Sequence, residues 1–261
     1  MIHSVQKAMQ ILTVISDQRG EPVTMKEISE KISLPRPTCA HLLATLARDG
    51  YVRRISHTLG YTLGPATYYL SRYGRYEKDL VTLARPVMRW MEHQTHATIV
   101  LAVIENRQKY IIECFDNEQK IFSEQSLIRA DDIYRTATGR VILAQMDREA
   151  VKAVWETNGI PNEDWEDIKS YEELLDALAE IKKQGVVVTG GSPRKEDAAK
   201  GFACPIFQKG TCVGALGVAW IRTSESDAEL AALEEKLCKT LLKGAKEIGR
   251  RLLYSAQNED D

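Results

Sequence analysis

Residues 34–54 combine hydrogen-bonding side chains with an apolar stripe of helical period. Cys39, Leu43 and Leu46 recur at spacings of four and three, so they share one face of a helix and can be buried together. Pro37 suits the first turn of that helix, and Gly50 suits the position just after its end. A helix that is apolar behind and polar in front can read base edges in the major groove of DNA. The side chains in position to do so are Arg36, Thr38, His41 and Thr45.

A basic strand follows this helix and carries a second group of candidates for DNA contact. Arg53 and Arg54 lie in the strand-like run 51–55, and His57 lies in the turn before the run 61–63. We expect these three side chains to contact phosphates, which position a protein on DNA without reading its sequence. Taken singly, each has an ordinary alternative, because basic residues are usually solvated and often protect a strand edge. Their combination in a helix and a basic hairpin favours a DNA interface.

The elements around these residues predict a winged helix-turn-helix. Thr24, with Glu27 three residues later, forms a capping box that starts a helix before the DNA-reading one. Residues 33–35 form the turn between the two, because the residue before a proline disfavours helix. The predicted helices cover 4–15, 24–32 and 36–49, and the predicted hairpin covers 51–63. Helices followed by a hairpin in this order are typical of that fold.

Charge is distributed unevenly along the chain, although its formal net charge is only −2. Residues 1–76 contain ten of the 35 lysines and arginines but only five of the 37 acidic residues, which gives this part a net charge of +5. The rest of the chain has a net charge of −7. A basic N-terminal part on an acidic body indicates a local phosphate-binding surface.

Composition argues against several other classes of protein. The 261 residues include no apolar run near the roughly 18 residues that a membrane span requires. Five scattered cysteines, without a C-x-x-C pair, argue against disulfides and structural zinc and fit a reducing cytoplasm. No common catalytic or nucleotide-binding motif occurs, and His93 with His96 lacks a clear third metal ligand. We therefore predict a cytoplasmic protein that is not an enzyme and that uses no cofactor and no metal.

The N-terminal motifs resemble those of a known family. They are Ser4–Leu12 (SVQKAMQIL), Leu34–Thr38 (LPRPT), Leu42–Leu46 (LLATL), Gly50–Arg54 (GYVRR) and Tyr61–Pro65 (YTLGP). In this order they closely resemble the IclR family of bacterial transcriptional regulators, and they cover almost all of the predicted DNA-binding domain. The recognition helix of that family usually begins Lys-Ser-Thr and soon carries an arginine. Here Pro37 stands at the serine position and His41 at the arginine position, and both departures bear on the operator sequence that is read.

The remainder of the chain predicts an α+β domain in which helices pack on an antiparallel sheet. The predicted helices are 80–93, 138–146, 171–184 and 226–253, and the predicted strands are 98–104, 109–115, 121–128, 185–189, 201–207 and 212–221. Looser matches to the same family occur at Thr136–Arg140, Ala203–Phe207 and Gly214–Val218. The resemblance implies a GAF-like effector-binding domain. The expected domains are 1–64 for the winged helix-turn-helix, 65–78 for a linker helix and 79–261 for the effector-binding domain.

The expected linker helix is rich in tyrosine, with Tyr68, Tyr69, Tyr73 and Tyr76. Such a helix can pack on its own domain, or it can pair with its twin in a second copy, which the family resemblance favours. Tyrosine suits a protein interface because it buries area and keeps a polar tip. A homodimer or tetramer brings two winged helices to two half-sites, so we expect a roughly palindromic double-stranded DNA operator.

A helix start at Thr138–Arg140 is the candidate ligand contact that the residues themselves suggest. Free N–H groups there favour a carboxylate or phosphate, although Thr138 can equally be an ordinary N-cap. Relatives that bind small organic acids contact them from this helix start, a loop and the last strand. By position, the resemblance implies effector contacts at Ala137, Thr138, Gly191, Gly201, Gly217 and Ala219. The polar side chains of those relatives are largely missing, so either a larger apolar effector fills space left by glycines, or Ser192, Arg194 or Cys204 supplies polarity.

The sequence therefore predicts a DNA-binding transcriptional regulator that acts as a homo-oligomer and responds to a small organic effector. The alternative is a winged-helix module that binds a protein or dimerises without a ligand. Salt separates the two, because phosphate contacts release counterions and weaken as salt rises.

Overall fold

The computed structural model describes residues 2–18, 20–56, 58–73, 78–105, 107–115, 133–161, 165, 167–190, 199–221 and 227–257. The chain divides into two compact units, Met1–Tyr76 and Glu77–Asp261. Among the residues described, none of the helices has both the length and the apolar character that crossing a membrane requires.

The first unit has the element order of a winged helix-turn-helix, as the sequence predicts. Its elements are α1 (His3–Ser16), α2 (Met25–Lys31), α3 (Arg36–Arg48), β1 (Val52–Ser56), β2 (Gly60–Leu63) and α4 (Pro65–Tyr73). β1 and β2 form an antiparallel hairpin. The expected linker helix 65–78 is observed as α4 over its first nine residues, while 74–77 lie outside the described part and Lys78 begins the next helix.

Local hydrogen bonds define the ends of the helices in this unit. The Thr24 hydroxyl accepts a hydrogen bond from the Glu27 amide at 3.3 Å, and the Glu27 carboxylate accepts one from the Thr24 amide at 2.8 Å. The predicted capping box is thereby confirmed. α3 is followed by Gly50 at φ +79°, which lets the Tyr51 amide turn back and donate to the Leu46 carbonyl at 2.8 Å. This sharp end brings β1 directly after α3.

A small apolar core holds the first unit together. Its buried members are Ile11, Ile15, Val23, Ile28, Cys39, Leu43 and Val52. Cys39 and Leu43 are fully buried, as their spacing predicts. Burying an aliphatic side chain of this size contributes about 1.5–3 kcal/mol relative to leaving it exposed. α3 is therefore fixed in rotation about its axis, and this decides which of its side chains face outward.

The second unit is built on a five-stranded antiparallel sheet with strand order β4-β3-β7-β6-β5. The strands are β3 (Thr98–Glu105), β4 (Gln108–Phe115), β5 (Val187–Thr189), β6 (Ala199–Gln208) and β7 (Thr211–Ile221). The helices are α5 (Lys78–Thr95), α6 (Ala137–Gln145), α7 (Arg148–Asn158), α8 (Tyr171–Gln184) and α9 (Asp227–Gln257). α7 is an addition to the prediction, and the predicted strand 121–128 lies outside the described residues.

Strand alternation divides this sheet into two apolar faces. Leu216 and Val218 point to the face covered by α5 and α9, whereas Ala203 and Ala215 point to the face covered by α6 and α8. Side chains on a strand alternate between the faces, so positions 217 and 219 of β7 lie on the same face as Ala215. This face, which we call the α6 face, therefore carries the predicted effector positions of the sheet.

Candidate functional site

The outer surface of α3 presents three of the predicted DNA-reading residues in one row. Thr38, His41 and Thr45 are exposed and follow each other at spacings of three and four, so they form a single stripe. Cys39 and Leu43 lie on the opposite, buried side of the helix, where burial raises the pKa of the Cys39 thiol. The Thr45 hydroxyl donates to the His41 carbonyl at 3.1 Å and keeps acceptor capacity for a base or a water.

Arg36 is exposed but does not belong to this stripe. It is the first residue of α3 and lies two positions before Thr38, so the two side chains leave the helix about 160° apart at roughly 100° per residue. The end of the stripe is instead occupied by Arg48, which the sequence analysis did not select. The Nε of Arg48 lies 3.0 Å from a carboxylate oxygen of Asp49, an ion pair that competes with any phosphate contact.

The N-terminus of α3 has the features of an anion-binding helix end. Pro35 at the N-cap position provides no side-chain cap, and no acidic residue occurs in the first turn. Pro37 has no N–H, so the amide groups of Arg36 and Thr38 are the donors that this end offers. Backbone N–H groups and the helix dipole together favour a phosphate at such a position.

The hairpin places its two arginines on opposite faces. Arg53 pairs with Thr62 and Arg54 pairs with Tyr61, and consecutive residues of a strand point in opposite directions. The Arg54 guanidinium lies 5.8 Å from the centre of the Tyr61 ring, within cation–π range. Both arginines are exposed, but because they point to opposite faces of the hairpin they cannot approach one phosphate from the same side. His57 lies outside the described residues.

On the α6 face, five of the six predicted effector positions come together. Gly201 of β6 pairs with Ala219 of β7, and Gly217 lies two residues before Ala219 on the same face. Ala137 and Thr138, at the start of α6, lie directly over these strands: a Cβ at position 201 would be 3.6 Å from Ala137 Cβ. Gly191, like Ser192 and Arg194, lies outside the described residues.

The space beside the two glycines is filled by the chain itself. A Cβ at position 217 would lie 2.6 Å from Thr138 Cγ2 and 2.8 Å from Val100 Cγ2. A Cβ at position 201 would lie 2.8 Å from Thr189 Oγ1. The expectation that an apolar effector fills space left by these glycines is therefore wrong, because buried β-branched side chains of neighbouring elements already occupy it.

Cys204 is likewise removed from the effector positions. It lies on the opposite face of the sheet from Ala203, where its thiol is within 3.7 Å of the Leu241 carbonyl of α9. Burial in this apolar environment raises the pKa of the Cys204 thiol to about 12. The expectation that Cys204 supplies polarity to an effector is wrong, because strand alternation turns it away from α6.

The start of α6 is capped by Thr136 and not by Thr138. The Thr136 hydroxyl accepts a hydrogen bond from the Gly139 amide at 3.2 Å, while Thr138 is buried within the first turn. The amides of Ala137 and Thr138 have no acceptor inside the helix, since the first amides of any helix lack one. α6 has no acidic residue in its first turn.

A buried lysine that the sequence analysis missed lies beside this helix start. Lys109 of β4 is only 1% exposed, and its Nζ lies 3.1 Å from the Thr136 hydroxyl oxygen. A fully buried lysine is rare without a charged or polar environment that stabilises it. In the sequence Lys109 is one of two charged residues of β4, the other being Glu113, and only its pairing with Ile104 and its burial identify its position as inward.

Two further polar groups adjoin the start of α6. Arg140 donates from Nε to the Tyr134 carbonyl at 2.5 Å, and its guanidinium lies 4.1 Å from the centre of the Trp165 ring. Arg140 thus ties α6 to neighbouring segments. The Tyr134 hydroxyl is buried and has no hydrogen-bond partner among the described residues, and burial raises its pKa to about 12.

Two family models match the chain. Residues 76–248 match the model described as the bacterial transcriptional regulator IclR C-terminal domain. Residues 4–56 match the IclR helix-turn-helix domain. The two matches correspond to most of the second unit and, in the first unit, to the segment from α1 to β1.

Relatives and solved structures agree with these matches. The chain is 25% identical over 238 residues to the HTH-type transcriptional regulator XynR of Escherichia coli (strain K12), covering 91% of this chain and 93% of the relative. It is 26% identical over 227 residues to the HTH-type transcriptional regulator KdgR of the same organism, covering 86% and 85%. Its fold is similar to that of an IclR homologue complexed with 4-hydroxybenzoate from Microbacterium hydrocarbonoxydans, with a TM-score of 0.72, 19% identity, and 95% and 98% of the two chains covered.

Proposed function

The chain belongs to the IclR family of bacterial transcriptional regulators, and from this premise we propose that it acts on a roughly palindromic operator as a homo-oligomer. A helix-turn-helix domain for binding DNA and a C-terminal effector-binding domain are the two parts of such a regulator. We assign residues 1–64 to DNA binding, 65–78 to a linker helix and 79–261 to effector binding. The relatives are named as regulators, so we assign no catalytic activity. The five cysteines form no disulfide with one another in the described residues, which favours the cytoplasm.

For DNA, we propose that Thr38, His41 and Thr45 face base edges in the major groove. The exposed stripe opposite fully buried Cys39 and Leu43 is the observation that carries this assignment. We propose that Arg36, which lies at the start of α3 and outside the stripe, contacts a base edge or a phosphate beside the groove. We assign phosphate contacts to Arg53, Arg54 and His57, which position the winged helix without reading sequence.

Binding measurements on a selected operator test this assignment. Duplexes are first selected from a random pool by the full-length protein, and variants are then titrated on the selected and on a scrambled duplex. His41→Ala and Arg36→Ala should each cost about 1–3 kcal/mol on the selected duplex and lower its preference over the scrambled one. Arg54→Ala should weaken both duplexes alike and reduce the salt dependence of binding.

The matched control is Lys236→Ala, which removes a basic residue from α9 and should leave DNA binding unchanged. Equal small losses for His41→Ala and Arg54→Ala would mean that α3 is not the reading helix. Binding that ignores salt would favour the alternative of a protein-interaction module.

For the effector, we propose a small organic carboxylate at the start of α6. Two backbone amides without helical acceptors and the absence of acidic residues in the first turn of α6 favour a negative charge. Ala137, Thr138, Gly201, Gly217 and Ala219 adjoin this position, and Gly191 is assigned to it by resemblance. The structural neighbour complexed with 4-hydroxybenzoate supports a carboxylate as the class.

A thermal-shift screen tests the effector class. Small carboxylates, sugar acids and aromatic acids are compared with their own primary amides, so that only the charge differs. A carboxylate should raise the melting temperature with dose, and its amide should not, because only a ligand that binds the folded state stabilises it. Amides that raise the melting temperature as much as the acids would refute the proposed negative charge. If no compound raised the melting temperature with dose, the proposed effector site would be refuted.

Regulation then requires that the effector and DNA affect each other's affinity. An effector changes DNA affinity only if it binds two arrangements of the protein unequally. The exposed side chains of Tyr68 and Tyr69, 64% and 63% accessible in the single chain, support α4 as the oligomer contact. Tyr68→Lys should shift the protein toward monomer, as measured by sedimentation. An unchanged sedimentation coefficient would mean that the oligomer contact lies elsewhere.

A further inference from the structure

A groove lies between α5 and α9, on the face of the sheet opposite the effector positions. It encloses about 370 Å³, which lies within the range of small-molecule sites. Its apolar wall is formed by Pro86, Val87 and Trp90 of α5. Pro86 is exposed, and Trp90 is half-buried, so the edge of an apolar surface is open to solvent here.

The other wall of the groove is formed by α9 and is strongly basic. Its lining residues are Lys243, Lys246, Glu247, Arg250 and Arg251, four cations and a single carboxylate. Positions 243, 246 and 250 recur at spacings of three and four, so these cations form one row along the helix. The groove therefore combines an apolar wall on α5 with a wall on α9 that has a net charge of +3.

Contacts within the groove show how these charges are used. Glu247 accepts hydrogen bonds from Arg250 at 2.8 Å and from Arg251 at 2.7 Å, and these bonds lower the pKa of Glu247 to about 2. The Lys243 ammonium lies 4.9 Å from the centre of the Trp90 ring. One carboxylate is thus shared by two guanidinium groups, and Lys246 has no ion pair among the described residues.

We propose that this groove binds an aromatic organic anion, with its ring against Trp90 and its carboxylate or sulfonate toward Lys246 and Arg250. A ring buries its area best against an indole, and offset or tilted stacking adds to that burial. An acidic group supplies the second counter-charge that the arginines and Lys246 lack, and the guanidinium can bind it through two parallel N–H groups. A bare inorganic anion would leave the apolar wall unused, and a neutral ring would leave Lys246 without an ion pair among the described residues. This site is independent of the effector site assigned above.

The probe for this proposal is 8-anilinonaphthalene-1-sulfonate, titrated into the full-length protein. Lys246→Glu should weaken its binding about tenfold, because the substitution reverses the charge that has no ion pair. Lys236→Glu, the same reversal on the same helix outside the groove, should leave binding unchanged. Trp90→Phe keeps an aromatic wall but should reduce energy transfer from tryptophan to the probe. Naphthoate should displace the probe, whereas inorganic sulfate at equal ionic strength should not.

Several results would overturn the proposal. Equal affinities for Lys246→Glu and Lys236→Glu, at matched urea midpoints, would mean that the probe binds elsewhere. Displacement by sulfate as strong as by naphthoate would reduce the groove to a site for any anion. A change in sedimentation on Lys246→Glu without a change in probe binding would make the groove a contact between copies or with another protein. None of these results bears on DNA binding or on the effector carboxylate, so the two proposals fail separately.

Discussion

The close contact between β7 and α6 predicts that Gly217→Ala destabilises the second unit. The added methyl would lie 2.6 Å from Thr138 Cγ2 and 2.8 Å from Val100 Cγ2, and both of these atoms belong to buried β-branched side chains with few alternative rotamers. Overpacking of this kind costs about 1–3 kcal/mol. Thr138→Ser removes one of the two opposing methyls and keeps the hydroxyl, at a cost of about 1 kcal/mol for the lost methyl.

The double variant distinguishes steric conflict from a general effect. If the two methyls compete for one space, Gly217→Ala with Thr138→Ser should be destabilised by about 1 kcal/mol less than the sum of the single changes. Urea unfolding followed by tryptophan fluorescence is selective for this unit, because Trp90, Trp155, Trp165 and Trp220 all lie in it. Each kcal/mol corresponds to about 2–4 °C in melting temperature for a unit of this size.

Two outcomes would refute the reasoning. A neutral or stabilising Gly217→Ala would mean that the space beside Gly217 is open, which would restore a large apolar effector as a candidate. Costs that add within about 0.5 kcal/mol would mean that Thr138 and residue 217 do not share that space.

Three further changes have defined expectations. Ser170→Ala should cost about 1 kcal/mol in the same urea experiment and Ser170→Asp much less, because the Ser170 hydroxyl caps α8 by accepting from the Glu173 amide at 3.2 Å. Tyr134→Phe should stabilise the ligand-free protein by about 1 kcal/mol, because it removes a buried hydroxyl that has no hydrogen-bond partner among the described residues; a loss of stability would reveal a partner. Hydrogen bonds from the Thr24 hydroxyl and amide lower the pKa of Glu27 from its ordinary value of 4.5. The stability that these bonds add to the start of α2 is therefore complete above pH 4.5 and is lost as the pH falls through the folded pKa. The protection factors of the α2 amides, which are exchange rates corrected for the intrinsic effect of pH, should fall on the acid side, and protection that does not change with pH would contradict this.

Much of the first unit could be predicted from the sequence, because its signals are local. Thr24 with Glu27 defines a helix start within four residues, and Gly50 defines a helix end by its own conformation. The 3.6-residue period of Cys39 and Leu43 identifies the buried side of α3 without knowledge of its neighbours. α8 is predicted to the residue over 171–184 for the same reason, since its apolar stripe and its C-terminal Gly185 are both local features.

The sequence is less informative where a residue's surroundings depend on helical or sheet geometry. Arg36 is near Thr38 in the sequence, but the turn of the helix directs it away from the stripe, and its contact with a base edge stays a prediction. Cys204 follows Ala203 directly, but strand alternation places it under α9. The position of Lys109 is identified as inward only by its burial in the sheet, beside Ile104 of β3.

Gly201 and Gly217 of the α6 face are a further case in which distant neighbours decide a residue's surroundings, and they limit where an effector can bind. In a sequence, a glycine at a position where relatives have larger side chains predicts empty space. In the folded protein, side chains of neighbouring elements can fill that space. Here Thr138 and Val100 reach position 217, and Thr189 reaches position 201. These side chains cannot be moved aside cheaply, since a buried β-branched residue forced from its rotamer strains the packing around it. This packing agrees with the effector position proposed above, at the start of α6 beside its backbone amides, and favours a small charged ligand over a large apolar one.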